Sequence, residues 1–268
     1  MLRLSALYRY PLKSARAEPL QRSTLDGLGL TGDRRWMLVD EASGRFLSQR
    51  AVPRMSQLSA QWNLAGGLTL EASGQHALDV PLPAADAPLR SVTLWSHSWR
   101  VPDAGELAAQ WLTAFISKPT RLVYVPQGLA RPLEPGYGTP DDRVAFADGF
   151  PLLLIGEASL GDLSGRVGRP LEMLRFRPNL VIEGAQPFEE DSWKRIRIGD
   201  VDFRVLKPCA RCILTTIDPA SGERSPDREP LATLKGYREK EGDVLFGQNL
   251  VSSGAGVLEV GMPVTVLE

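Results

Sequence analysis

Short apolar runs separated by glycine and proline punctuation dominate this chain, and they constrain its fold more than any other feature. Leu2, Leu4, Ala6, Tyr8 and Tyr10 alternate with their neighbours at period two, as a half-buried strand requires. Trp36–Asp40 and Arg45–Gln49 flank an Ala-Ser-Gly turn and predict a hairpin. Leu58, Ala60, Trp62 and Leu64 run into Ala-Gly-Gly and then Leu68 and Leu70, a second hairpin. Arg121–Val125, Pro151–Ile155 and Asn179–Glu183 read as further strands, and Arg195–Val205 as a hairpin turning at Gly199-Asp200. The C-terminal GVLEVGMPVTVL alternates again. Helical spacing is confined to three places. Asp103 and Glu106 predict a capping box ahead of Leu107, Trp111, Leu112 and Phe115 on one face. Glu157–Val167 is helical but weakened by Gly161 and Gly165, and Glu229–Glu239 sets Leu231, Leu234 and Tyr237 one turn apart. The pattern implies a mainly β protein with a few helices, a barrel or sandwich rather than a doubly wound sheet.

A length of 268 residues suggests about two domains. Pro126–Asp142, dense in proline and glycine and lacking either period, is the candidate link or active-site rim, which divides the chain into 1–125 and 126–268. Such a chain buries roughly 75% of its unfolded surface and needs no disulfide staple. A net charge of −1 argues against a nucleic-acid binder that works by phosphate neutralisation. Residues 1–54 nevertheless hold ten Lys/Arg against five Asp/Glu, either a solvated face or half of an anion pocket. Met1-Leu-Arg-Leu-Ser is no signal-peptide core, and the apolar run Phe150–Ile155 is far too short to span a bilayer. Together with only two cysteines, this predicts a cytoplasmic protein in a reducing compartment, without a membrane partner.

Both cysteines fall in one segment, LKPCARCILTTIDPASGE, as Cys209-x-x-Cys212 with Arg211 between them. Four readings stay open for that pair. Zinc would need about four ligands, and His76 and His97 lie far upstream. A thioredoxin-type dithiol would sit at a helix start, whereas Ile213-Leu-Thr-Thr-Ile reads as a continuing strand. Two inert buried thiols are the plain structural reading. The fourth is a single thiolate, favoured by the neighbouring Arg211, on a cofactor-borne thiophilic metal. Elsewhere, Gly27-Leu-Gly29-Leu-Thr-Gly32 satisfies G-x-G-x-x-G but precedes a strand, so its glycines serve turns rather than a dinucleotide. Asp218-Pro-Ala-Ser-Gly222 reads as a turn, and the six tryptophans as core rather than binding platforms.

Taken in order, YPLKS, GDRRWMLVD, FADGFPLLLIGEASL, RFRPNLVI, EDSW, the cysteine segment with EPLATLKGYR, and FGQNL resemble the MOSC-domain family over nearly the whole chain, in particular the amidoxime-reducing components. The resemblance implies an N-terminal β domain followed by a MOSC β-barrel domain. It implies a molybdenum cofactor of the molybdopterin type, with Cys212 ligating the metal. Lys13, Ser14, Arg34, Arg177, Asn179 and Arg211 would hold its pterin and phosphate, and Asp148 would be the acid near the metal. Gly149 stands where the family often has a hydroxyl residue, and the role of Cys209 is less defined. The residue chemistry agrees: a dithiolene-bearing, phosphate-tailed ligand needs a soft thiolate at one end and Arg or Lys at the other. The implied activity is two-electron reduction of N-hydroxylated compounds: amidoximes, hydroxylamines and N-hydroxylated bases. An iron–sulfur cluster needs four cysteines, so the electrons must come from a separate redox protein of ferredoxin, flavodoxin or cytochrome type with its reductase. A persulfide carrier in metal–sulfur cofactor assembly and a non-catalytic cofactor carrier are the alternatives.

Overall fold

The computed structural model describes residues 1–63 and 65–268; Leu64, read above into the second hairpin, lies outside the described residues. A nine-stranded sheet dominates. Its path runs Glu18–Leu20, Arg3–Arg9, Leu180–Glu183, Leu152–Gly156, Asp243–Ser252, Val201–Ala210, Arg195–Ile198 and Val264–Val266, with Glu239–Lys240 paired to the side of Asp243–Ser252. Backbone bonds from Leu4 N to Met262 O (3.0 Å) and from Val264 N to Leu2 O (3.0 Å) bring the far strand back beside Arg3–Arg9 and close the sheet. Closure removes the sticky edges that an open sheet would expose. Leu4, Leu7, Leu152, Leu154, Leu180, Ile196, Phe203 and Leu250 fill its interior.

Leu152–Gly156 is apolar without alternation because both of its faces are covered. Leu152 and Leu154 enter the barrel interior. Leu153 and Ile155 meet Leu163 of the helix Glu157–Val167, together with Phe176 and Phe246. That helix carries the chain to Leu180–Glu183, which pairs in parallel with Leu152–Gly156. A second core gathers Trp36, Leu38, Met55, Leu58, Leu68, Leu70 and Leu122 under the helix Glu106–Ile116, which contributes Leu112 and Phe115. Among the described residues no helix is long and apolar enough to cross a membrane.

Several local expectations change. The alternation in Leu2–Tyr10 is broken by a bulge between Leu4 and Ala6, so Leu4, Leu7 and Tyr10 are the buried positions. Arg45–Gln49 is not a full strand: Phe46 forms only an isolated bridge with Val39, while Trp36–Asp40 pairs instead with Thr120–Tyr124. No capping box forms at Glu106–Ile116, because Asp103 and Glu106 both bind Arg121, at 2.7 and 2.8 Å. Leu107 is 75% exposed rather than on the buried face. Ile213–Thr216 is a turn of 3-10 helix, not a strand. The Gly29 and Gly32 positions are turn glycines with φ of 98° and 86°, as expected.

Candidate active site

One cleft of about 250 Å³ collects every candidate residue named from the sequence: Lys13, Ser14, Arg34, Asp148, Gly149, Arg177, Asn179, Arg211 and Cys212. It also takes in Arg50 and Lys207, so six basic side chains line it against one carboxylate, Asp148. The two halves of the chain meet here. Lys13, Ser14, Arg34 and Arg50 come from loops of the first half; Asp148, Gly149, Arg177 and Asn179 from segments that lead into the barrel strands Leu152–Gly156 and Leu180–Glu183; and Lys207, Arg211 and Cys212 from the end of Val201–Ala210 and just beyond it.

The basic wall is built around Tyr10. Its N–H donates to Asp33 Oδ1 at 2.8 Å and its hydroxyl to Pro178 O at 3.1 Å. The ring is flanked by the guanidinium groups of Arg34 and Arg177, 4.4 and 4.2 Å from its centroid. Ser14, Arg34 and Arg177 have φ of 65°, 47° and 56°, the left-handed region that disfavours any residue with a Cβ. Strain of about 1 kcal/mol or more per residue, concentrated at one wall, is typical of a site whose geometry is imposed by its surroundings. Burial works against the charge on Arg34, but Asp33, 2.6 Å from its Nη1, outweighs it and raises the group above its usual range. Arg177 lacks such a partner; burial brings it down to about 10. Its Nη1 donates to Ala15 O at 2.8 Å, while its buried Nη2 has no partner. Asn179 is fully engaged: Oδ1 accepts from Arg34 (3.0 Å) and Leu153 N (3.2 Å), and Nδ2 donates to Tyr8 O (3.1 Å). In this structure it orients Arg34 and leaves little to offer a ligand directly.

The thiol end lies where Val201–Ala210 leaves the sheet after bulges at Val205/Lys207 and Pro208/Ala210. Arg211 N donates to Val244 O at 2.7 Å, its Nη2 to Phe176 O at 2.5 Å, and its Nη1 to Cys209 Sγ at 2.9 Å. Cys209 is half-buried against the Phe176 and Phe246 core, whereas Cys212 is exposed; both are free thiols. The Cys212 carbonyl is fixed by Thr215 N (3.1 Å) and Thr215 Oγ1 (3.0 Å), which leaves its side chain to the cleft. Among the described residues no cluster of three His, Cys, Asp or Glu could chelate a metal by itself. Any metal held by Cys212 must therefore bring other ligands with it.

Asp148 sits on the loop Ala147–Gly149, which Arg131 holds through the carbonyls of Ala147 and Asp148. Lys13 Nζ and Trp95 Nε1 both donate to its Oδ1, at 2.5 and 3.2 Å. The Asp148 carboxyl is 68% exposed, and Lys13, then Arg50 and Trp95, hold it well below the usual carboxylate range. At neutral pH it is an anion and an acceptor, not a proton donor. A Cβ at Gly149 would meet nothing within 4 Å, so the space beside Asp148 stays open. Arg50, Arg131 and Lys207 were missed in the sequence, and Trp95, read there as core, is 42% exposed. Lys207 had a signal, its place in LKPC; the other three stand in stretches without a distinguishing motif.

Residues 1–119 match the MOSC N-terminal beta barrel domain and residues 141–265 the MOSC domain. This chain belongs to the MOSC family. The human Mitochondrial amidoxime-reducing component 1 is 35% identical to this MOSC protein over 98% of the chain and 82% of its own length. The Danio rerio protein of the same name is 34% identical over 97% and 83%. Among solved structures, the YuaD protein from Bacillus subtilis covers 98% of the chain and 94% of its own at 11% identity, with a TM-score of 0.45.

Proposed function

We propose that this MOSC protein is a molybdenum-dependent reductase of N-hydroxylated compounds, which it converts with two electrons and two protons to the reduced nitrogen compound and water. The observation that carries this is the exposed Cys212 thiol sharing one cleft with six basic side chains. The identity to proteins named amidoxime-reducing components supports the substrate class. When bound, a molybdenum–pterin group would supply the electron-transfer chemistry at the N–O bond.

The residues present fit such a group. Cys212 offers the soft thiolate that molybdenum needs from the protein. Lys13, Ser14, Arg34, Arg177 and Arg211 offer donors to pterin oxygens and a phosphate, and the unpartnered Arg177 Nη2 is a buried donor awaiting an acceptor. Asn179 keeps Arg34 aimed. Asp148, anionic beside Lys13, accepts a hydrogen bond and orients a substrate N–H or O–H. Its charge implies a testable pH behaviour. A carboxyl held below its ordinary value is already ionised across about pH 5 to 8, so it adds no acid limb to the rate there. The pH–rate profiles of wild type and Asp148→Asn should therefore have the same shape, with the variant lower throughout. An acid limb lost in the variant would assign Asp148 the proton.

Electrons would come from a separate ferredoxin, flavodoxin or cytochrome-type protein with its reductase, in the cytoplasm, and the two sequence units would divide near residues 125 and 126. The test is elemental analysis of protein from a cofactor-competent host, with benzamidoxime reduction assayed against NADH alone and against a reconstituted electron carrier. Molybdenum near one per chain and activity only with the carrier are expected. Metal-free protein without turnover would instead favour a persulfide role for Cys212.

A further inference from the structure

The tight turn between Leu89–Leu94 and His97–Pro102 places Trp95 at the mouth of the cleft. Its φ of 56° is one that glycine adopts with less strain, and 42% of its surface is exposed. Neither turn geometry nor core packing explains a large aromatic there. Three contacts define what it does. Its Nε1 donates to Asp148 Oδ1 at 3.2 Å, the same oxygen that receives Lys13 Nζ, so Oδ2 is the oxygen left for a ligand. Phe46 packs against the indole at 4.9 Å. The Arg50 guanidinium lies over the ring, 4.3 Å from its centroid. Arg50 lines the cleft, and among the described residues its guanidinium has no ion-pair or hydrogen-bond partner. A guanidinium laid flat on an indole keeps its donors in one plane, with its second face available for stacking.

We infer that Trp95 is a positioning residue for substrate specificity: by carrying Arg50 on its face and pinning Asp148 through its N–H, it makes the mouth select planar, conjugated N-hydroxylated substrates over non-planar ones. The inference rests on the reductase reading above. An aromatic amidoxime presents an oxime oxygen, an amino group and a ring in one plane. The ring can lie flat on the second face of the Arg50 guanidinium while Asp148 Oδ2 accepts from the amino N–H. An N-alkylhydroxylamine offers no extended plane and so gains nothing from the stack.

The experiment is steady-state kinetics of the molybdenum-loaded protein, with reduced methyl viologen as donor, on benzamidoxime and N-methylhydroxylamine. Wild type, Trp95→Ala and Trp95→Phe are compared. The ratio of kcat/KM for benzamidoxime to that for N-methylhydroxylamine should fall about fivefold in Trp95→Ala, mainly through KM, the factor expected for one lost cation–π stack. Trp95→Phe, which keeps the ring face, should recover most of the ratio. Equal losses on both substrates, or an unchanged ratio, overturn the inference and leave the reductase reading standing. A wild-type protein that is loaded with molybdenum yet reduces neither compound overturns both.

Discussion

Under the proposed molybdenum-dependent function, replacing Cys212 by alanine is expected to leave the protein folded while abolishing molybdenum binding and turnover. The thiol is exposed, and the backbone around it is held by Thr215 through the Cys212 carbonyl, a bond the substitution does not touch. Exposed side chains outside packed features usually change stability by no more than about 0.5 kcal/mol, so the thermal midpoint should barely move. Cys209→Ala makes the contrast. That sulfur accepts a hydrogen bond from Arg211 and packs beside Phe176 and Phe246, so its loss should cost about 1 kcal/mol while metal is retained. Thermal unfolding, metal content and benzamidoxime turnover on the two variants separate the roles. A Cys212→Ala protein with full metal and full activity would end the proposal that this thiol holds the metal.

Arg34→Ala should be the most destabilising change in the cleft, even in protein that carries no cofactor. Asp33 is 2% exposed; its Oδ2 takes the Arg34 guanidinium at 2.6 Å and its Oδ1 the N–H of Tyr10. Removing one member of a buried pair strands the other and typically costs about 3–5 kcal/mol. The same substitution removes one of the two donors to Asn179 Oδ1 and uncovers one face of Tyr10. The melting temperature of the cofactor-free protein should fall by roughly 10 °C, given the usual conversion for a chain of this size. Arg34→Lys restores a charge but not a fork that serves Asp33, Asn179 and Arg177 O at once, and should lie between. A loss below about 1 kcal/mol in Arg34→Ala would show that Asp33 is satisfied by other means.

Most barrel strands and the three helices were legible because each buries a face of its own, and burial writes its period into the chain; Glu18–Leu20 and Asp243–Ser252 were not read as strands. The site was legible where it is made of contiguous peptide: YPLKS, GDRR, RFRPN and CARC each put a polar or basic residue on a loop beside a buried neighbour. What escaped depends on partners distant in sequence. Arg121 draws Asp103 and Glu106 away from the helix start, so a local cap became a tertiary ion cluster. The run Ile213–Ile217, β-branched at all but Leu214, favours a strand, yet Thr215 and Thr216 bond back to the carbonyls of Cys212 and Ile213 and tighten the backbone into 3-10 form. Trp95 reaches Asp148 across 53 positions, and Arg131 reaches the Asp148 loop across 16 or 17, with nothing local to mark either. The bulge after Leu4 likewise leaves no compositional trace.

The closing of the large sheet by residues 2–4 against 261–264 ties folding to synthesis. A nascent chain has to keep Arg3–Arg9 waiting, with Leu4 and Leu7 incompletely covered, until residues 261–264 have been made. Sequence separations of that size slow folding and prolong the exposure of apolar surface. Yield in the cell should therefore respond to chaperone supply and growth temperature, and a cut near the middle of the chain would take Arg3–Arg9 and Glu18–Leu20 away and leave the remaining seven strands as an open sheet.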